Sequence, residues 1–328
     1  MKKIYFRADA SSDIGYGHFV RSLALADILK DYFDCYFATI HPTEYQLKEI
    51  SKVCQYLPIP NDGSHYDYFL SLLTGDEIVV LDNYFFTVEY QREIRNKGCK
   101  LVCIDDRQGL SFDADVVIDH VIGTTRESFQ STGNASLLLG PDYALLRNSF
   151  RQKMYSPKTY NSHSQDILIA MGGTDYFDMT GKIAGILLDN TNYKINLLIG
   201  DSYKHIDQLQ KLPVNIFKNL SDFQLVDLIS RQLLVITPPS TLAYEVCAVG
   251  CPLIVGSFAD NHFAVEKALS DNGLSFSCGR LKDITAVKLL NTVSDILKAA
   301  PEILKRQAEV FDGKQQRNLL EKFIELLV

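Results

Sequence analysis

Short β-branched and apolar runs alternate with amphipathic segments of helical period along almost the whole chain, the pattern of parallel sheets built from strand-helix-strand units. In the first half, residues 4–7, 35–40, 77–82, 100–105 and 115–118 are predicted as strands. The clearest helix between them covers 19–33, where Val20, Leu23, Ala24, Ala26, Leu29 and Phe33 form an apolar stripe suited to docking on a sheet. Over 148–165 the pattern lapses into a polar stretch with Pro157, which reads as a linker between domains. A second series follows, with strands predicted at 166–171, 194–199, 214–217, 233–237, 253–256 and 274–277 and helices between them, and 302–328 is helical in pattern. The expected fold class is α/β, with two Rossmann-like domains of similar size at 1–150 and 165–304 facing each other across a cleft.

Length and composition agree with this division. A chain of 328 residues corresponds to two domains at roughly 150 residues each. The 33 Lys and Arg against 40 Asp and Glu leave a net charge of -7, which argues against non-specific partners such as nucleic acid or an anionic membrane surface. The N-terminal strand meets a charge too early for a signal peptide, and no apolar run approaches the ~20 residues of a membrane span. A soluble, cytoplasmic protein is therefore expected. Seven scattered cysteines suit buried reduced thiols, since the pairs Cys99/Cys103 and Cys247/Cys251 lack the further ligands of a zinc site. Neither a metal nor a cofactor is expected.

The densest chemical signal lies between the first strand and the first helix, in Asp9-Ala10-Ser11-Ser12-Asp13-Ile14-Gly15-Tyr16-Gly17-His18. Gly15 and Gly17 allow a sharp turn and close approach of a ligand, and the helix start offers amides to an anion such as a diphosphate. The third glycine of the dinucleotide fingerprint is missing, with Val20 at its position. His18 sits at the positive end of a helix, which disfavours an imidazolium and leaves the ring able to accept a proton. A plain turn with a capping histidine is the alternative. Gly172-Gly173-Thr174-Asp175 repeats the arrangement after the first strand of the second series, ahead of a helix starting near Asp178, and an ordinary turn is again the alternative.

Pro238-Pro239-Ser240-Thr241-Leu242-Ala243-Tyr244-Glu245 follows another strand. Ser240 is a natural N-cap, the first-turn amides and the Thr241 hydroxyl suit a phosphate, and Glu245, one turn on, suits the hydroxyls of a ribose unless it is a solvated charge. Asp260-Asn261-His262 is placed at the end of a strand on the same rim, and Tyr84 at a strand exit in the first domain. Asp105-Asp106 reads as a helix cap, and the histidines at 41, 65, 120, 163 and 205 as surface or core residues.

Taken together, Phe6-Arg7-Ala8-Asp9-Ala10-Ser11, Ile14-Gly15-Tyr16-Gly17-His18 with Arg21, Met171-Gly172-Gly173-Thr174-Asp175, Ser240-Thr241 with Glu245, and Asp260-Asn261 resemble the PseG family over residues 3 to about 265. These are the UDP-2,4-diacetamido-2,4,6-trideoxy-β-L-altropyranose hydrolases of pseudaminic acid biosynthesis, similar in fold to the MurG-type GT-B glycosyltransferases. The resemblance implies a GT-B fold with the C-terminal helix, 305–328, crossing back onto the first domain. It further implies a UDP-sugar as the small-molecule partner, His18 as the catalytic histidine, Tyr84 and Asn261 at the sugar, and Ser240, Thr241 and Glu245 at the nucleotide. Pro238-Pro239 departs from the family's small or glycine-rich segment and removes two amide donors, so phosphate contacts would begin at Ser240. The chain ends after one more helix instead of running into an acetyltransferase, which suggests the hydrolase alone.

The residues fit that chemistry. UDP leaves as a stable anion, so its displacement needs a base for water and fixed dipoles for the diphosphate, not the paired carboxylates of a glycosidase. His18 would activate water for attack at C1 with inversion. A GT-B UDP-glycosyltransferase, with an acceptor hydroxyl in place of water, and a non-catalytic UDP-sugar-binding protein are the alternatives.

Overall fold

The structure is a computed structural model, and it describes residues 1–10, 16–107, 109–129, 133–156, 160–173, 175, 177–200, 202–258 and 260–327, with 260 and 261 described by their backbone. The chain forms two compact units, one of residues 1–147 and 314–328 and the other of 148–313.

The first unit contains β1 (Lys3–Arg7), α1 (Gly17–Leu29), β2 (Asp34–Thr39), α2 (Glu44–Val53), β3 (Gln55–Pro58), α3 (His65–Leu72), β4 (Ile78–Leu81), α4 (Val88–Asn96), β5 (Lys100–Ile104), β6 (Val116–Asp119) and β7 (Ser136–Leu139). The second contains α5 (Asn148–Met154), β8 (Asp166–Ile169), α6 (Met179–Asn190), β9 (Lys194–Leu198), α7 (Ile206–Leu209), β10 (Val214–Phe217), α8 (Asp222–Ser230), β11 (Leu234–Thr237), α9 (Thr241–Val249), β12 (Leu253–Ser257), α10 (Asp260–Asp271), β13 (Phe276–Arg280) and α11 (Ala286–Val310). α12 (Lys314–Glu325) then completes the first unit.

Both sheets are parallel throughout, in the orders β3-β2-β1-β4-β5-β6-β7 and β10-β9-β8-β11-β12-β13. Each reverses direction between its first and fourth strands, β1 and β4 in one unit and β8 and β11 in the other, and at such a point the connections leave to opposite sides and open a crevice. Central strands such as Ile78-Val79-Val80-Leu81 are buried along their whole length, because helices cover both faces of a parallel sheet.

Two edge strands escape the sequence pattern. β3 is four residues ending in Pro58, and β7 is Ser-Leu-Leu-Leu; each pairs on one side only. The polar stretch after 147 opens with a helix, α5, because Phe150 and Met154 stand four apart and bury one face against α8 and α9. The C-terminal helical pattern is likewise two helices, interrupted at Gly313, whose φ of +92° favours glycine. α12 buries Leu319 and Phe323 in the first unit's core, where the Phe323 and Phe33 rings lie 6.5 Å apart. Among the described residues, no helix is long and apolar enough to cross a membrane.

Candidate active site

The switch point of the first unit gathers a buried ionic cluster. α1 is so deeply set that Arg21 and Ser22 are buried along with its apolar residues, and a buried guanidinium requires carboxylates. They come from the exits of the next strands. Asp82, just past β4, accepts from Arg21 Nε (2.8 Å) and Nη2 (2.6 Å) and from the Ser22 hydroxyl (2.8 Å). Asp106, just past β5, accepts from Arg21 Nη1 at 2.9 Å. His18 lies one helical turn before Arg21 and sets Nδ1 2.7 Å from Asp82 Oδ1, with Arg21 Nη2 3.1 Å from the same nitrogen.

A guanidinium can only donate, and a carboxylate flanked by it is an acceptor, so the shorter contact is an Nδ1–H donating to Asp82. Nε2 is then the ring's acceptor nitrogen, and it bonds to no described residue. Burial alone would raise the Asp82 carboxyl, but the charge and hydrogen bonds of Arg21, helped by His18, outweigh it and hold Asp82 below its usual range. Asp106 is held well below its range in the same way, by Arg21 and then the Tyr84 hydroxyl acting against burial.

Tyr84 borders this cluster. Its hydroxyl donates to Asp106 Oδ1 at 2.5 Å, and its ring meets the His18 ring edge to face, with centroids 4.6 Å apart. Burial and Asp106 push its phenol well above the ordinary value. Behind, Asn83 exchanges two hydrogen bonds with the Asp9 backbone, at 2.6 and 3.2 Å, and so ties the β4 exit to the β1 exit. Gly17 is the first residue of α1, and a Cβ built there would meet nothing within 4 Å. Among the described residues, the amides of Gly17, His18 and Phe19 find no partner and no side chain caps the helix. Gly15 lies outside the described residues.

In the second unit the starts of α6, after the glycine turn, and of α9, after Pro238-Pro239, differ. At α6 the Met179 and Thr180 amides donate to Asp175 (2.9 and 2.8 Å), and Gly181 donates to Asp178 at 3.1 Å. The start of α6 is thus filled by the chain's own carboxylates, so it offers no amides to the anion that the second glycine turn suggests. Gly172, at φ +90°, and Gly173 form that turn, with open space at both Cβ positions. Thr174 lies outside the described residues. At α9, Ser240 occupies the N-cap position in an extended conformation, but its hydroxyl makes no capping bond. The Thr241 and Leu242 amides bond to no described group. Glu245 is 1% exposed, so it is not a solvated charge. Asn261 belongs to the first turn of α10, after β12 has ended at Ser257, and its side chain lies outside the description.

The structure brings His18 and Tyr84, both singled out from the sequence, together, and adds Asp82 and Asp106 as partners that the sequence did not single out for this role. Asp105-Asp106 is no helix cap: Asp106 bonds Arg21 and Tyr84, and Asp105 bonds Arg107. The available signal was the three-residue spacing of His18 and Arg21 on an otherwise apolar helix, which calls for a buried carboxylate opposite.

No protein-family model matches the chain. It is 28% identical over 215 residues to the UDP-2,4-diacetamido-2,4,6-trideoxy-β-L-altropyranose hydrolase of Campylobacter jejuni, an alignment spanning 64% of this chain and 73% of that protein. It is 27% identical over 271 residues to an uncharacterized protein of Methanocaldococcus jannaschii, spanning 77% of this chain but only 55% of its relative. Among solved structures it is similar to MurG of Acinetobacter baumannii (TM-score 0.63, 14% identity, 100% of this chain and 99% of that one). It is also similar to the calicheamicin glycosyltransferase CalG4 (TM-score 0.63, 13% identity, 99% and 98%). The two parallel sheets with alternating helices and these likenesses give the chain the α/β fold of the GT-B glycosyltransferases.

Proposed function

We propose that the chain is a UDP-sugar hydrolase acting on a UDP-2,4-diacetamido-2,4,6-trideoxy sugar, and that His18 is the base that activates water. The observation that carries this reading is the His18 ring itself, with Nδ1–H bound to Asp82 and Nε2 left without a described partner. An imidazole held this way accepts a proton at Nε2 while the carboxylate stabilises the charge that develops. Asp82 touches no reacting atom; it orients the ring, and Arg21 keeps Asp82 ionised.

UDP needs little help to depart beyond neutralisation of its phosphates. Two helix starts whose first amides have no partner among the described residues, those of α1 and α9, each suit a phosphate, whereas the filled start of α6 does not. Ser240, Thr241 and the buried Glu245 would hold the nucleotide, with Gly172 and Gly173 leaving room for it. Tyr84 and Asn261 would line the sugar. Water attacks C1, the C1–O bond breaks, UDP leaves with the bonding pair, and the water proton passes to Nε2. The 28% identity to a named hydrolase of this substrate supports water over an acceptor alcohol.

The test is turnover of UDP-sugars without acceptor in ¹⁸O-labelled water. Release of unlabelled UDP is the expected result. Label in UDP, or release of UMP, would mean attack at phosphorus. A UDP-sugar that stays intact until an alcohol is added would make the protein a transferase.

A further inference from the structure

Tyr84 is 44% exposed, yet it is held from several sides. Besides the bond to Asp106 and the edge contact with His18, its backbone carbonyl accepts from Arg107 Nη1 at 3.1 Å, and the Arg107 guanidinium lies 4.5 Å from its ring centroid. Arg107 is itself fixed. Its Nε and Nη2 donate to the two oxygens of Asp105, at 3.0 and 2.6 Å, and its amide donates to Asp105 Oδ1 at 2.9 Å. Asp105 is buried and continues the sheet ladder, its amide donating to the Ile118 carbonyl at 3.1 Å.

An exposed aromatic ring without such restraint changes rotamer on a picosecond to nanosecond scale, and its contact with a neighbour is transient. We propose that Arg107 is a positioning residue: clamped by Asp105, it locks the Tyr84 ring against His18, so that the wall of the sugar site beside the base exists before substrate arrives. The inference rests on the reading of His18 as the base. A guanidinium suits the task because its flat face stacks on the ring while its donors hold a carboxylate and a carbonyl together, which a lysine ammonium does not reproduce. Its charge is already balanced by Asp105, so its part is geometric and not that of a phosphate ligand.

Two readouts test this. In protein labelled with ε-¹³C tyrosine, the Tyr84 resonance, assigned by its loss in Tyr84→Phe, should lie away from the position of free tyrosine and move most of the way back to it in Arg107→Met. Arg107→Lys, which keeps a cation for the buried Asp105 should Arg107→Met fail to fold, should give the same movement. A resonance unmoved in the folded variants overturns the clamp.

The second readout is UDP release. Arg107→Met should lower kcat on the order of 10- to 100-fold, as misplacement of a positioned group does, with the Kd for UDP within about two-fold of wild type. In a Tyr84→Ala background the same change should add nothing. Weakened UDP binding with kcat unchanged, or additive losses, would make Arg107 a ligand in its own right and overturn the proposal. If the wild type releases no UDP from any UDP-sugar, the hydrolase reading fails, and the tyrosine resonance still decides the clamp.

Discussion

His18 and Asp82 come from chain segments 64 residues apart and meet through Nδ1 and Oδ1 at 2.7 Å, inside a shell where Asp82 also receives Arg21 and Ser22. The pairing makes both residues matter to one step. His18→Ala should lower kcat by about 10²- to 10⁴-fold with UDP affinity little changed. Asp82→Asn, which must turn an amide NH₂ toward either Arg21 or His18, should lose a similar factor, and the double variant should be little worse than either single one. Steady-state turnover with UDP titration checks this, and full activity in either single variant removes that residue from the step.

Stability should register the same cluster. Asp82 is fully buried, and its removal leaves Arg21 with Asp106 as its one carboxylate among the described residues. Breaking one side of such a buried pair costs about 3–5 kcal/mol. Asp82→Ala should therefore lower the urea midpoint of the first unit far more than Lys2→Ala, which removes only an exposed ion pair with Asp76.

Asp119 and His120, adjacent at the end of β6, give an opposed pH dependence. Burial raises the Asp119 carboxyl from its usual 3.8 to about 7, with a smaller lowering from the Val121 amide. Burial and then Arg21 lower His120 from 6.5 to about 4. The stability tied to protonated Asp119 is lost as pH rises from the unfolded value to about 7, and that tied to neutral His120 is lost as pH falls from the unfolded value to about 4. Between about pH 4 and 6.5 the two slopes cancel. Asp119→Asn should make stability rise with pH in that window by about 1.4 kcal/mol per unit, and His120→Gln should make it fall equally. Chemical denaturation across that range reads both signs, and a flat Asp119→Asn profile would contradict the assignment.

Two glycines should respond in opposite ways. Gly17→Ala adds a methyl that meets nothing within 4 Å, so stability should stay within about 0.5 kcal/mol of wild type. If the start of α1 takes the diphosphate as proposed, turnover should still drop, because the methyl stands between a close-approaching phosphate and the first amides. A Cβ at Gly200 would lie 2.6 Å from the Gly173 backbone, so Gly200→Ala should destabilise the second unit and displace its glycine turn. Thermal unfolding with parallel activity measurements separates the two.

The central strands were legible in the sequence because strands buried on both faces read as continuous apolar runs, and the pattern also marked the two edge strands of the second unit, β10 and β13, the latter two residues early. The edges of the first unit were not: in β3, Gln55-Tyr56-Leu57-Pro58 carries neither alternation nor an apolar run, and β7 has only three apolar residues. His18 and Tyr84 stood out by their places at strand exits. Asp82 and Asp106 did not, because a carboxylate after a strand is ordinary until the Arg21 that faces it is known to be buried. The filled start of α6 was also hidden, since Asp175 and Asp178 accept from the helix amides that follow them while their own backbones take left-handed conformations, at φ +34° and +49°, that the sequence does not announce.

The return of α12 to the first unit has a consequence for synthesis. Translation delivers β1 to β7 first, but the helix that covers Phe33 and fills the core with Leu319 and Phe323 is made only after the whole second unit. The second unit, continuous from 148 to 313, has all of its chain before that helix exists. The half begun first therefore cannot complete its core until α12 has been made, whereas the second unit has every residue it needs before then.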